Sequence, residues 1–198
     1  MDRVIYLAMA GAKAAMQRQD VLSNNLANVS TTGFRAELTA FRAVPVRGDG
    51  ASTRVYALES TPGYSSETGP VQQTGNGLDV ALKGNAWLAV QGLDGTEAYT
   101  RNGGMEVNPE GLLSLRNGLT VLGDGGPITA PANARIDIGS DGTITATVGG
   151  GRPQGIGRLK LVTPEAPLQR GDDGLFRAAD GADLPADATA RVQSGALG

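Results

Sequence analysis

Leu78-Asp79-Val80-Ala81-Leu82-Lys83-Gly84-Asn85-Ala86-Trp87-Leu88-Ala89-Val90 is the stretch whose reading decides the fold class. Leu78, Val80 and Leu82 alternate with Asp79, Ala81 and Lys83, the period of two that marks a strand with one dry face. Residues 86–90 then form a short apolar run between turn signals, which reads as a buried strand and places Trp87 in a core. Turn dipeptides follow at short intervals: Asp94-Gly95, Asn102-Gly103, Glu110-Gly111, Asn117-Gly118, Asp141-Gly142 and Asp173-Gly174. Asn-Gly and Asp-Gly favour the positive-φ turns that match strand twist. Between them, residues 97–101, 105–107, 112–115, 119–122, 135–138, 143–148 and 158–162 read as strands. Strands this short with turns this frequent predict a glycine-rich β domain over 78–190, built as a meander, a sandwich or a partly closed barrel. Residues 191–198 read as a tail of small residues without a terminal element. Arg101-Asn102 and Arg170 to Asp173 read as exposed turn residues.

Upstream, residues 34–77 show no steady period. Phe34 to Phe41 reads as a brief helical extension, after which prolines and glycines accumulate. The segment is expected to be an extended connector with short strand pieces such as 53–58. Residues 3–32 are different, holding no proline and one glycine, Gly11. Apolar residues recur at Ile5, Ala8, Ala12, Ala15, Leu22, Leu26 and Val29, with Gln19 the polar member of the series. That spacing predicts an amphipathic helix with a heptad seam, about 45 Å long at 1.5 Å per residue. Gly33 after Thr31-Thr32 reads as the residue that ends it. The first half of the seam is alanine-rich, which suits close packing against another helix. No second helical stretch of this kind exists in the chain, so the partner is expected from another molecule. The fold class is therefore mainly β with an N-terminal α-helix, an extended connector arm joining the two.

Composition narrows function by exclusion. The 198 residues contain 30 glycines, roughly twice the average share of about 7%, and only 4% aromatic residues. Seventeen basic and 20 acidic side chains give a net charge of −3. They form no basic block, so no nucleic-acid surface is expected. With neither cysteine nor histidine, the chain alone builds no Ser-His-Asp or Cys-His nucleophile and no Cys/His zinc site. No phosphate-binding glycine motif is present. Asp137 and Asp172-Asp173 are the carboxylates to weigh as an acid–base pair, and the latter two read better as a turn. Gly75 to Asp79 faintly matches a calcium-binding roll repeat but occurs once, whereas that architecture needs repetition. No catalytic residue, metal ligand, cofactor or small-molecule substrate is expected. The N-terminus shows no cleavable secretory signal and no stretch long and apolar enough for a membrane span.

Three segments carry a resemblance. Leu22-Ser23-Asn24-Asn25-Leu26-Ala27-Asn28-Val29-Ser30-Thr31-Thr32-Gly33-Phe34-Arg35 resembles the N-terminal signature of the flagellar rod and hook protein family. Residues 78–90 resemble the first strands of that family's β domain. Tyr99-Thr100-Arg101-Asn102-Gly103, followed by Gly111-Leu112-Leu113, is the third match. Residues 41–46 and 169–177 are most similar to the proximal-rod type, with the distal-rod type its close competitor.

The resemblance implies a non-enzymatic subunit of the rod, the shaft that crosses the periplasm and transmits motor torque to the hook. It implies export by the flagellar type III apparatus without signal cleavage. Copies of itself and other rod proteins are the implied partners. Residues 1–33 would pack in the rod core through Ile5, Ala12, Leu22, Leu26 and Val29, with Gly33 and Phe34 closing the motif. Asn24, Asn25 and Asn28 would hydrogen-bond between subunits. Family members continue beyond the position of Gly198 into a second amphipathic helix, so 191–198 is expected to lead to one. A distal-rod or hook-type axial protein is the alternative within the family, and a secreted glycine-rich β adhesin the alternative outside it.

Overall fold

A computed structural model describes residues 2–45, 55–65 and 67–198. They fall into two compact units, Met1–Glu67 and Thr68–Gly198. The fold class is mainly β with one N-terminal helix.

The first unit holds α1 (Asp2–Ala27) and a hairpin of β1 (Glu37–Pro45) and β2 (Val55–Tyr64). The helix is proline-free throughout, and it stops at Ala27 rather than reaching Gly33. The reason is local. Asn28 turns its side-chain amide back onto the carbonyl of Asn24 at 2.9 Å, a bond that competes with helix continuation. The β-branched Val29, Thr31 and Thr32 that follow have low helix propensity. Two successive turns replace the expected last helical turn, closed by Thr31 N–H on Asn28 O at 2.9 Å and Phe34 N–H on Thr31 O at 3.0 Å. Gly33 supplies the left-handed residue of the second, at φ 72°.

The hairpin corrects the expectation of an extended arm. β1 and β2 pair antiparallel from Glu37 opposite Tyr64 to Pro45 opposite Val55, with a register shift between Leu38 and Ala40. Residues 37–41, expected to prolong the helix, are strand. Of the strand piece expected at 53–58, Val55 to Leu58 belongs to β2, and Thr53 and Arg54 lie outside the described residues. Thr39, Phe41 and Val44 favour a pleated strand, but their partner lies beyond residues 46–54, where a local reading cannot find it.

The second unit starts with β3 (Gln72–Gln73) and β4 (Val80–Leu82), followed by the hairpin β5 (Trp87–Gln91) and β6 (Glu97–Thr100). Next come β7 (Met105–Val107) with β8 (Leu113–Leu115), and β9 (Leu122–Gly123) with β10 (Gly126–Pro127). β11 (Ala134–Ile138), β12 (Thr143–Val148) and β13 (Gln154–Arg158) form a three-stranded antiparallel sheet. β14 (Leu161–Val162), β15 (Gln169–Arg170) and β16 (Phe176–Arg177) join β5 and β6 in the order β14-β5-β6-β16-β15. Finally β17 (Val192–Ser194) pairs with β4 and β18 (Ala196–Leu197) with β3. Residues 191–198 thus carry two strands, and Val192 and Ala196 are fully buried.

One loop recurs. Gly92-Leu93-Asp94-Gly95-Thr96, Gly139-Ser140-Asp141-Gly142-Thr143 and Gly171-Asp172-Asp173-Gly174-Leu175 each close a hairpin in the same way. The first glycine's N–H reaches the fifth residue's carbonyl at 2.8 Å, and the second glycine's N–H returns to the first glycine's carbonyl at 3.0 Å. The aspartate accepts the fifth residue's N–H at 3.0–3.1 Å. The second glycine sits at φ 77–84°, a region that side chains with a Cβ avoid. At the first, a Cβ would lie 2.7–2.9 Å from the aspartate oxygen, so a side chain there would displace the carboxylate that closes the loop. The Thr96 hydroxyl and N–H hold Asp94 below the ordinary carboxylate pKa, and the Thr143 N–H and hydroxyl do the same for Asp141.

The core gathers Trp87, Leu88, Val90, Met105, Leu113, Leu115, Val121, Ile144, Leu159, Leu161 and Val192, all nearly without exposure. Two expectations fail there. Asp79, placed on the wet side by alternation, is buried along with Val80 to Leu82, and Arg116 meets its carboxylate at 2.7 Å. Arg101, expected in an exposed turn, is buried too. Its Nη1 donates to Gly84 O (3.0 Å) and Ala86 O (2.7 Å), its Nη2 to Leu82 O (2.8 Å), and its guanidinium lies 5.9 Å from the Trp87 ring centre. The rigid fork of donors satisfies three carbonyls between the end of β4 and the start of β5. Gly103 is no hairpin turn either. A Cβ there would sit 1.9 Å from the Val80 carbonyl oxygen, so the chain passes where only a hydrogen fits.

Gly103→Ala is expected to destabilise the second unit by at least about 1–3 kcal/mol, the usual cost of overpacking. Denaturant unfolding followed through Trp87, the sole tryptophan, measures it. A chain cut at residue 190 is expected to lose roughly 2–4 kcal/mol against one ending at 198, because Val192 and the β4–β17 bonds go with the cut. Equal midpoints for the two lengths would refute the closing role of β17 and β18.

Candidate assembly surface

The helix presents two unlike faces. Along one, Ile5, Ala8, Ala12, Ala15, Gln19, Leu22 and Leu26 are all exposed, with Ile5 at 55%, Leu22 at 58% and Leu26 at 75%, and Val29, in the turn beyond the helix, is exposed as well at 71%. Met9 and Met16, at 61% and 67%, widen this stripe. Along the other, Ala10, Ala14, Gln17, Val21, Asn25 and Asn28 are half-buried. At 100° per residue the two stripes are centred roughly 140° apart. α1 packs against β1 and β2, and the half-buried stripe is the one whose Asn25 bonds to β1. The heptad seam is therefore left in solvent, and an apolar stripe of this length, interrupted only by Gln19, is unusual on a soluble surface.

The residues singled out in the sequence divide into two groups. Ile5, Ala12, Leu22, Leu26 and Val29 share the exposed seam. Asn24, Asn25, Asn28, Gly33 and Phe34 build the corner between α1 and β1. Asn25 Nδ2 donates to Glu37 O and Glu37 N–H donates to Asn25 Oδ1, both at 2.9 Å. Asn28 Nδ2 also lies 3.4 Å from Asn24 Oδ1, and the Thr31 hydroxyl 3.4 Å from Asn28 Oδ1. Asn25 and Asn28 thus have bonding partners within their own chain.

Two contributions were not read from the sequence. Met9 and Met16 lie outside a strict seven-residue count, although helical spacing brings them beside it. Arg35 is only 6% exposed, and its Nη1 donates to Ser65 O at 3.3 Å and to Glu67 O. Its place as the last residue of the quoted signature was the available signal, but its partners lie 30 and 32 residues further on.

The carboxylates weighed as an acid–base pair are bound up elsewhere. Asp137 pairs with Arg135 at 3.4 Å, and Asp173 with Arg177 at 2.8 Å. Both belong to the β domain's turns and sheet rather than to a cleft.

Known proteins bear on these two regions directly. A family described as the flagella basal body rod protein matches residues 5–35, which cover the seam and the corner. A second, described as the flagellar hook protein FlgE/F/G D1 domain, matches residues 81–146 of the β domain. The chain is 48% identical over 207 residues to the flagellar basal-body rod protein FlgF of Salmonella typhimurium, covering all of this chain and 82% of that protein. It is 32% identical over 188 residues to FlgF of Caulobacter vibrioides, covering 89% of this chain and 73% of that one. The rod protein FlgG of Bacillus subtilis matches at 32% over 179 residues, covering 82% and 67%. Matched along its whole length at nearly one residue in two, this chain belongs to the flagellar basal-body rod protein family.

Proposed function

We propose that the chain is a structural subunit of the proximal part of the flagellar basal-body rod, and that the exposed seam of α1 is how it assembles. The observation that carries this reading is the seam itself. Ile5, Leu22 and Leu26 lie on the face of α1 away from the stripe that Asn25 brings to β1, and Val29 is exposed in the turn that follows. Copies of this chain and other rod proteins, each with such a helix, would dry one another's seams. The alanines at 8, 12 and 15 would let the helix axes approach closely. The shaft so formed would carry torque across the periplasm to the hook. Delivery would use the flagellar type III export apparatus with no cleaved signal. The role is mechanical rather than catalytic, in keeping with FlgF and FlgG relatives that are named as rod proteins. A distal-rod position is the second reading, favoured by the match to FlgG.

Leu26→Asp is expected to abolish rod assembly and motility, because an unpaired carboxylate in a dried helix contact costs several kcal/mol. The same substitution on the exposed helix should change the stability of the β domain by less than about 0.5 kcal/mol. Export is assayed alongside, by the amount of variant leaving the cytoplasm. Motile cells carrying an exported Leu26→Asp protein would remove the seam from the assembly.

A further inference from the structure

The chain that leaves α1 at Ala27 must reverse within nine residues and enter β1 at Glu37. β1 has β2 as its strand neighbour along one edge. Residues 36 and 37 show how the two edges are used. Ala36 offers its carbonyl toward β2, accepting the Ser65 N–H at 2.8 Å. Glu37 turns the opposite way, and both of its backbone groups go to the Asn25 amide at 2.9 Å. A primary amide carries the same acceptor and donor as a peptide group, so this exchange copies the paired bonds between antiparallel strands. Asn25 thus does for β1 what one residue of a third strand would do. On the β2 side Arg35, buried, holds the carbonyls of Ser65 and Glu67 where the chain leaves β2.

We infer that Asn25 and Arg35 are positioning residues: Asn25 locks β1 onto the end of α1, Arg35 fixes the turn segment to the end of β2, and together they set the direction in which the seam is presented. The seam residues make the contact, and the corner decides where it points. The half-buried stripe of α1 that packs on β1 and β2 is built of small or flexible side chains such as Ala10, Ala14 and Gln17. Without the corner, the helix would shift on that surface, and each subunit would offer its seam at a different angle. The functional half of the inference rests on the assembly reading above, whereas the mechanical half is a property of the isolated chain. Asparagine is specifically required at 25. Aspartate keeps an acceptor for the Glu37 N–H but has no donor for its carbonyl, and alanine has neither.

The chain lacks cysteine, so spin labels can be placed at will. Lys13→Cys on α1 and Ala40→Cys on β1 are both exposed positions. Double electron–electron resonance on the full chain then reads the helix-to-hairpin distance. The parent is expected to give one narrow distribution, and so is Ser23→Ala, a control on the exposed helix surface. Asn25→Ala, Asn25→Asp and Arg35→Met are each expected to at least double its width, with Trp87 emission and the far-ultraviolet helix signal retained. A parent-like width in both Asn25 variants would overturn the lock. So would loss of the helix signal, which would make Asn25 a residue of helix stability instead.

In cells, the Asn25 variants should be exported yet assemble at least tenfold less rod. Normal assembly despite a broadened distribution would overturn the positioning role while leaving the seam reading intact. Leu26→Asp separates the two ideas from the other side, since it should fail to assemble with a parent-like distance.

Discussion

Strands of two to six residues cannot hold register by length, and the second unit contains no other kind. Register in its hairpins is fixed at the turns. In the recurring Gly-x-Asp-Gly loop an aspartate oxygen takes the N–H that opens the returning strand, and two glycines admit the geometry, one by its positive φ and one by its missing Cβ. Each such loop fixes which residues face each other, as Gln91 faces Glu97 across Leu93 to Gly95. A one-residue slip would exchange Val90 and Ala98 with Ala89 and Tyr99 between two buried faces of different shape. The glycine content of the chain is thus the condition for its many short strands and not a dilution of its core.

The core that these hairpins assemble is thin in aromatics, and buried charge helps to organise it. Arg101 gathers three carbonyls of the connection between β4 and β5 beneath the Trp87 ring. Asp79 is matched by Arg116 and Glu97 by Lys160, each at 2.7 Å. Glu97 also accepts the Tyr99 hydroxyl at 2.8 Å, while that oxygen takes the Leu184 N–H at 2.6 Å; burial pushes the phenol well above its ordinary pKa. Such groups add little net stability compared with apolar replacements, but leaving one unpaired costs several kcal/mol, so they discriminate strongly against misregistered packings. Gly103 does the same by sterics, admitting the Val80 carbonyl at a distance that no other residue permits.

The first unit follows another logic. Its helix is stabilised on one side by a hairpin and at its end by side-chain amides, while its most apolar stripe faces solvent. In a folded monomer this arrangement leaves apolar area in water, and on the assembly reading proposed above that area is the repeating contact. The family signature around Asn24 to Arg35 therefore serves two jobs at once. Leu22, Leu26 and Val29 belong to the stripe, while Asn25, Asn28, Gly33 and Arg35 shape the corner behind it.

Much of this was legible in the residues alone. The heptad series from Ile5 to Leu26 placed the exposed stripe, because helical periodicity is a local property of spacing. The Asp-Gly pairs placed three hairpins, because a turn's backbone angles are selected by the residues within it. Trp87 was placed in the core by the apolar run around it. What stayed hidden depended on partners remote in the chain. β1 looked like a helix extension until β2, beyond residues 46–54, supplied its ladder. Residues 191–198 looked like a tail because β4 and β3, more than 100 residues earlier, provide their pairing. Asp79 and Arg101 read as surface residues because polarity is local, whereas the arginine or the carbonyls that allow a charge to be buried are brought there only by the fold. Asn25 read as a contact between molecules, and only the tertiary structure brought Glu37 within reach of its amide. Local angles and periodicities follow from neighbouring side chains; pairing across the chain follows from which surfaces remain to be satisfied once those local elements have formed.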